Sequence, residues 1–154
     1  GLDGRFFAHN EEIDICWRLN LMAKRVVCVP QSVAYHLGGG TLPQGNPRKT
    51  YLNFRNNLTM LYKNLPANRL RKVMLVRMIL DYVAALQMLI LGGGWSDFKA
   101  VVKARRDFKR WRKDFSAERK RIQGQAKVAM PTTVSLFSIL WKYYAMRKRK
   151  YSNL

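Results

Sequence analysis

Apolar residues recur along this chain with two different spacings and, in one stretch, almost without a break. Ile13, Cys16, Trp17 and Leu21 follow a three-and-four rhythm, which predicts a helix over residues 11–23 with that face buried and Asn10 as its N-cap. Lys24-Arg25-Val26-Val27-Cys28-Val29-Pro30 is β-branched and stopped by proline, and Ser32-Val33-Ala34-Tyr35-His36 has the same character. Two short strands are therefore expected there. Gly38, Gly39 and Gly40 open a loop running to Asn46-Pro47, a helix start in which asparagine caps and proline takes the first helical position. Tyr51, Phe54, Leu58, Leu61, Tyr62 and Leu65 form the apolar stripe of that helix, and Pro66 ends it.

Beyond Pro66 the pattern changes. Residues 73–91 are apolar on nearly every face, close to the roughly 20 residues that cross a bilayer. Arg77 and Asp81 interrupt the run four residues apart. Each costs about 2.5–3.5 kcal/mol at the centre of a span, which favours a helix packed on its neighbours or lying at a membrane surface. After Gly92-Gly93-Gly94, a stripe of Phe98, Val101, Phe108, Trp111 and Phe115 is flanked by Lys99, Lys103, Arg106, Lys109, Arg110 and Lys113. That is the pattern of an in-plane membrane helix, the alternative being a stripe packed on the preceding helix. Past Pro131, Thr132 or Thr133 caps a last apolar helix that runs through Trp141 to Tyr143-Tyr144 and a basic cluster at 147–150, a second membrane-surface anchor. There is no internal repeat.

Charge sharpens the division at residue 66. The 154 residues carry a formal net charge of +20. Residues 67–154 hold twenty-one of the Lys/Arg against five acids, an asymmetry that points to a polyanionic partner. An anionic membrane surface fits the long apolar runs. A basic nucleic-acid-binding module, with aromatic residues interleaved for stacking, is the alternative from another class. It is disfavoured by the acids of the first half and by the lack of a zinc-finger or RNA-recognition signature. Cys16 and Cys28 do not form a metal-ligand pair and fit a reducing compartment.

The acids cluster where the basic residues do not. Four of the nine carboxylates lie between Asp3 and Asp14, and Glu11, Glu12 and Asp14 fall in the first turn of the first helix, where the helix dipole keeps carboxylates ionised. Asp14 and Arg18 have the spacing of an i,i+4 ion pair. Three first-turn acids can simply cap a helix. Yet Phe6-Phe7-x-His9-x-Glu11-Glu12-x-Asp14-x-Cys16-Trp17-Arg18, followed by Val29-Pro30 and Tyr35-His36-x-Gly38-Gly39, resembles the C-terminal catalytic motif of bacterial family 2 glycosyltransferases. The nearest likeness is to the rhamnosyltransferase-like branch that builds cell-envelope glycans.

The resemblance covers about the first 65 residues and implies several things. The fold would be α/β: a C-terminal portion of a GT-A-type domain over residues 1–66 (helix, two short strands, helix), then a mainly α-helical, basic, membrane-associating tail over 67–154. The second acid of the pair, Glu12, would be the catalytic base, with Glu11 beside it. The family usually has Glu-Asp here, so Glu12 sets its carboxylate one methylene further out. His36 would complete the coordination of a donor-bound divalent metal (Mg or Mn). Gly38 and Gly39 would belong to a lid over the donor diphosphate, and Arg48 and Arg55, the latter in an Arg-Asn element that the family carries, would face donor phosphate. The implied substrates are a nucleotide-sugar donor and a glycan or lipid-linked acceptor, at the cytoplasmic face of the bacterial inner membrane. No Asp-x-Asp occurs in the sequence. The nucleotide-binding half is accordingly expected upstream of Gly1, and this piece alone is expected to be inactive.

Overall fold

The computed structural model describes residues 1–35, 42–43, 45–92, 94–131, 139 and 141–150. Among these residues the protein is helical, without a strand. A 3-10 turn at Gly4–Phe6 leads to α1 (Glu11–Leu21), followed by α2 (Pro47–Asn64), α3 (Ala67–Leu91) and α4 (Gly94–Trp111). A second 3-10 turn, Arg112–Phe115, passes into α5 (Ser116–Gln125), and Trp141–Ala145 forms a π-helical turn.

The α/β expectation is therefore corrected. Over residues 24–35 the chain forms no ladder, and Val26, Val27, Val29 and Val33 are 46–72% exposed. β-branched composition describes a side chain suited to a pleated, half-buried surface. It supplies no partner strand, and two short strands with no sheet to join are marginal in water. His36, Gly38 and Gly39 lie outside the described residues.

Helix α2 is the hub. It starts as its sequence dictates, with Asn46 Oδ1 accepting from the Arg48 amide at 2.9 Å and Pro47 in the first turn. It stops at Leu65, whose extended conformation is the one favoured before proline. The carbonyls left over at its buried C-terminus are taken by α5: Gln123 Nε2 donates to Lys63 O and Asn64 O at 3.3 and 3.1 Å, and Arg119 donates to Tyr62 O. α4 lies along α2 and α3, while α1 and α5 flank α2.

The core unites Leu52, Leu58 and Met60 of α2 with Val101, Ala104 and Phe108 of α4, together with Phe6, Phe115 and Ile122. It thus crosses the boundary drawn at residue 66. The basic helix turns its stripe inward: Val101, Phe108 and Phe115 are buried and Tyr62 meets Phe108 edge to face. Each such side chain contributes about 1.5–3 kcal/mol when fully buried. Val101, Phe108 and Phe115 thus form an internal packing surface, while Phe98 and Trp111 are half-buried.

A long apolar face is left bare on α3. Only Asp81 and Ala85 of its 25 residues are buried, while Leu75, Ile79, Val83, Leu86 and Ile90 are all more than half exposed. By length and composition this helix could cross a membrane. The last expected helix falls mostly outside the described residues.

Candidate functional site

Helix α1 buries an acid where an apolar residue was expected. Ile13 is 54% exposed and Asp14 is fully enclosed. The reason is the partner set. Asp14 accepts from Arg18 Nε at 2.9 Å, Lys63 Nζ at 3.0 Å and Asn64 Nδ2 at 2.8 Å. Lys63 is itself fully enclosed and also donates to Asp3 at 2.8 Å, with Glu118 Oε1 at 3.2 Å. Arg5 pairs with both Asp3 and Glu118.

Three carboxylates (Asp3, Asp14, Glu118) thus face three cations (Arg5, Arg18, Lys63), so the cluster is formally neutral. That is the condition under which buried charge is tolerated. Burial alone would raise the Asp3 carboxyl, but hydrogen bonds from Arg5 and Lys63 outweigh it and hold the group well below the usual carboxylate range.

The same helix clamps the segment that leads to the acidic pair. Asn56 Nδ2 donates to Phe6 O, Ala8 O and His9 O at 2.9, 2.7 and 2.9 Å. Arg55 Nη2 reaches Arg5 O and Phe6 O, while its Nε holds Asn56 Oδ1 at 3.0 Å. Under this clamp the backbone takes three left-handed turns, at Phe7 (φ 68°), His9 (φ 71°) and Asn10 (φ 72°). Histidine and asparagine enter that region more readily than most residues. Phe7, at φ 68° and ψ −56°, has the strained geometry of the rarer γ-turn. Conformations of this kind cost about 1–3 kcal/mol each and persist only where surrounding contacts hold them.

Asn10 makes no side-chain cap, since the left-handed turn replaces the extended backbone that a capping asparagine needs. Glu11, Glu12 and Asp14 occupy the first turn of α1. Glu12 projects to solvent. Glu11 Oε2 and His9 Nε2 are shielded without a hydrogen-bond partner among the described residues. A small pocket of about 220 Å³ opens beside Asn10, lined by Asn53, Phe54, Asn57 and Arg77.

Arg48 is exposed, with its guanidinium 5.0 Å from the Phe7 ring. Arg55 is committed to the clamp and stacks on Trp111 at 4.1 Å, so its main contacts are to the protein itself. Among the described residues no three His, Cys, Asp or Glu side chains converge as a metal centre requires, and the expected ligand His36 lies outside them.

The Arg-Asn element of the sequence includes Asn56, whereas nothing in the sequence pattern singles out Lys63 or Glu118. Leu52, Asn56, Thr59 and Lys63 follow one helical stripe and are all buried, but the stripe is mostly polar and was passed over for its apolar neighbour. No known protein family, curated protein or solved structure matches this chain.

Proposed function

We propose that this chain is the acceptor-side part of an inverting glycosyltransferase of the family 2 kind, with Glu12 as the base. It would move a sugar from a nucleotide-sugar donor to a cell-envelope glycan or lipid-linked acceptor. One observation carries the reading. The acidic motif at residues 6–18 and the Arg55-Asn56 element, far apart in sequence, meet in a single hydrogen-bonded unit that sets the acidic pair at a helix start.

In the transfer, a carboxylate within hydrogen-bond reach takes the acceptor hydroxyl proton. The oxygen forms a bond to the anomeric carbon, and the bond from that carbon to the diphosphate breaks with its electron pair leaving on the nucleotide. Glu12 suits the first task because it is solvent-accessible at the positive end of α1. A divalent metal such as Mg or Mn would offset charge on the departing diphosphate. The described residues offer no ligand set for it, and donor binding is left to chain outside these residues.

Peripheral association with an anionic membrane, at the cytoplasmic face, completes the proposal, and the bare side of α3 supports it. The nucleic-acid alternative is weaker, because Phe108 and Phe115 are enclosed and cannot stack on bases.

The test is Glu12→Gln in the full-length protein. Transfer should fall about 10²–10⁴-fold with thermal stability and donor binding unchanged. Near-normal turnover by a folded Glu12→Gln protein overturns the assignment and makes Glu11 the next candidate.

A further inference from the structure

Helices α3 and α4 are an antiparallel pair in which each supplies what the other lacks. Their course follows from the short link between Leu91 and Gly94 and from the pairing of Arg105 with Asp81, near the middle of α3. The bare side chains of α3 keep to one face: Leu75, Ile79, Val83, Leu86 and Ile90 recur at helical spacing. They make a strip about 22 Å long, and no exposed residue from Leu75 to Leu91 is charged. The exposed cations of α3, Arg69, Arg71 and Lys72, stand at its N-terminal end. The other end closes on Leu91 and Trp95, 74% and 62% exposed.

Helix α4 turns Arg105 to α3 and Lys103 to Tyr51 of α2. Its outer side carries Lys99, Arg106, Lys109 and Arg110, all exposed. Asp107 bonds Lys103 and lies 3.7 Å from Arg106. Lys99, Lys109 and Arg110 have no acid partner among the described residues. On the opposite flank of α3, Trp141 and Tyr144 are exposed beside Val76 and Val83. Tryptophan and tyrosine suit the headgroup level of a bilayer.

The pairing decides how α3 can meet lipid. It is long and apolar enough to cross a membrane by itself. It is not by itself, because the Arg105–Asp81 contact ties α4 alongside its C-terminal half. A crossing α3 would draw Lys99, Lys103 and Arg106 to hydrocarbon depth, where ionised side chains are costly. Laid flat, it puts its apolar strip into the bilayer and leaves those cations at the headgroups, the arrangement of an in-plane amphipathic helix. Here the apolar and basic faces come from two different helices.

We propose that the α3–α4 pair docks as one amphipathic unit on an anionic bilayer, with α3 parallel to the surface. This rests on the peripheral-membrane part of the reading above and adds its orientation; it does not require sugar transfer. Charge complementarity selects the occupant. A second copy laid on α3 would cover the strip but leave the cations of α4 unanswered.

The experiment is depth-dependent quenching on phosphatidylcholine vesicles containing phosphatidylglycerol. The full-length protein, with its own cysteines replaced by serine, carries one nitrobenzoxadiazole label after Leu75→Cys, Val83→Cys or Ile90→Cys. All three labels should be quenched more strongly by lipid bearing a nitroxide near the headgroup than by lipid bearing one near the chain end. Ile79→Asp with Leu86→Asp should weaken binding to these vesicles at least about ten-fold. Lys99→Gln with Lys109→Gln and Arg110→Gln should weaken it at least about ten-fold and leave binding to pure phosphatidylcholine unchanged. Far-UV circular dichroism checks folding, and if one variant does not fold the others carry the test.

Strong chain-end quenching at Val83→Cys with shallow labels at the two ends means that α3 crosses, which removes the orientation and leaves membrane association standing. Unchanged binding by either charge-altering variant overturns the paired docking unit. No vesicle binding by the wild type removes the peripheral-membrane reading itself, and a dimer in solution then assigns α3 to a second copy. Glu12→Gln should bind vesicles as the wild type does, so failure of the base assignment is read separately.

Discussion

Around Lys63 charged side chains are inside the protein, whereas along α3 apolar side chains are outside it. The first region holds six ionic groups in a formally neutral set, with Asp14 and Lys63 fully enclosed. The second leaves a row of leucine, isoleucine and valine side chains more than half bare on a 25-residue helix, each forgoing part of the about 1.5–3 kcal/mol that full burial supplies. The contrast separates two tasks. A buried ionic cluster adds little net stability over a well-packed apolar one, but its directional bonds fix where residues 3–18 sit against α2. A bare apolar face adds nothing to the isolated fold and becomes favourable only when something covers it.

The comparison is broken most forcefully at Lys63. Lys63→Ala leaves three carboxylates facing two cations, with Asp14 enclosed and held by Arg18 and Asn64 only, and should cost about 3–5 kcal/mol in denaturant unfolding. A loss below about 1 kcal/mol would mean that the cluster is open to water in solution. Asn56→Ala comes next. It strips a donor shared by three carbonyls, and at about 0.5–1.5 kcal/mol for each net hydrogen bond the loss should be near 2–3 kcal/mol. On the proposed glycosyltransferase reading, transfer by the folded fraction should fall as well, because residues 7–10 would relax out of their strained turns. Unchanged transfer would detach the clamp from the site.

The effect of pH is smaller and has a definite sign. Asp3 has a folded pKa held below its unfolded value of 3.8. Its contribution is therefore fully present above that value and is lost as pH falls below about 4. Stability measured from pH 7 to pH 2 should show an acid-side decline that is shallower in Asp3→Asn. An identical decline in that variant would place the acid sensitivity elsewhere.

Least of all should stability respond on α3. Ile79→Ser with Leu86→Ser, at positions 58% and 53% exposed, should each change it within about 0.5 kcal/mol while reducing co-sedimentation with anionic vesicles. A loss above 2 kcal/mol would show that this face packs within the protein.

Helix positions were largely legible in the sequence. Asn46-Pro47 and Pro66 bound α2 as local chemistry requires, because capping and the missing proline N–H act within a few residues. The acids in the first turn of α1 and the i,i+4 spacing of Asp14 and Arg18 were equally visible. What each helix faces was not. Residues 24–35 have strand composition and no strand, and the aromatic stripe of α4 suited lipid as well as it suits α2.

The sequence by itself thus determined where α2 begins and ends, how acid and base are divided along the chain, and that α3 is apolar on nearly every side. Only the tertiary structure decided that Asp14 is enclosed while Ile13 is not. It also brought Asn56 to the carbonyls before the acidic pair. The physical reason is range. Capping and helical periodicity operate over one or two turns, whereas the charge balance that permits a buried Asp14 needs Lys63 and Glu118 from helices 49 and 104 residues further along the chain.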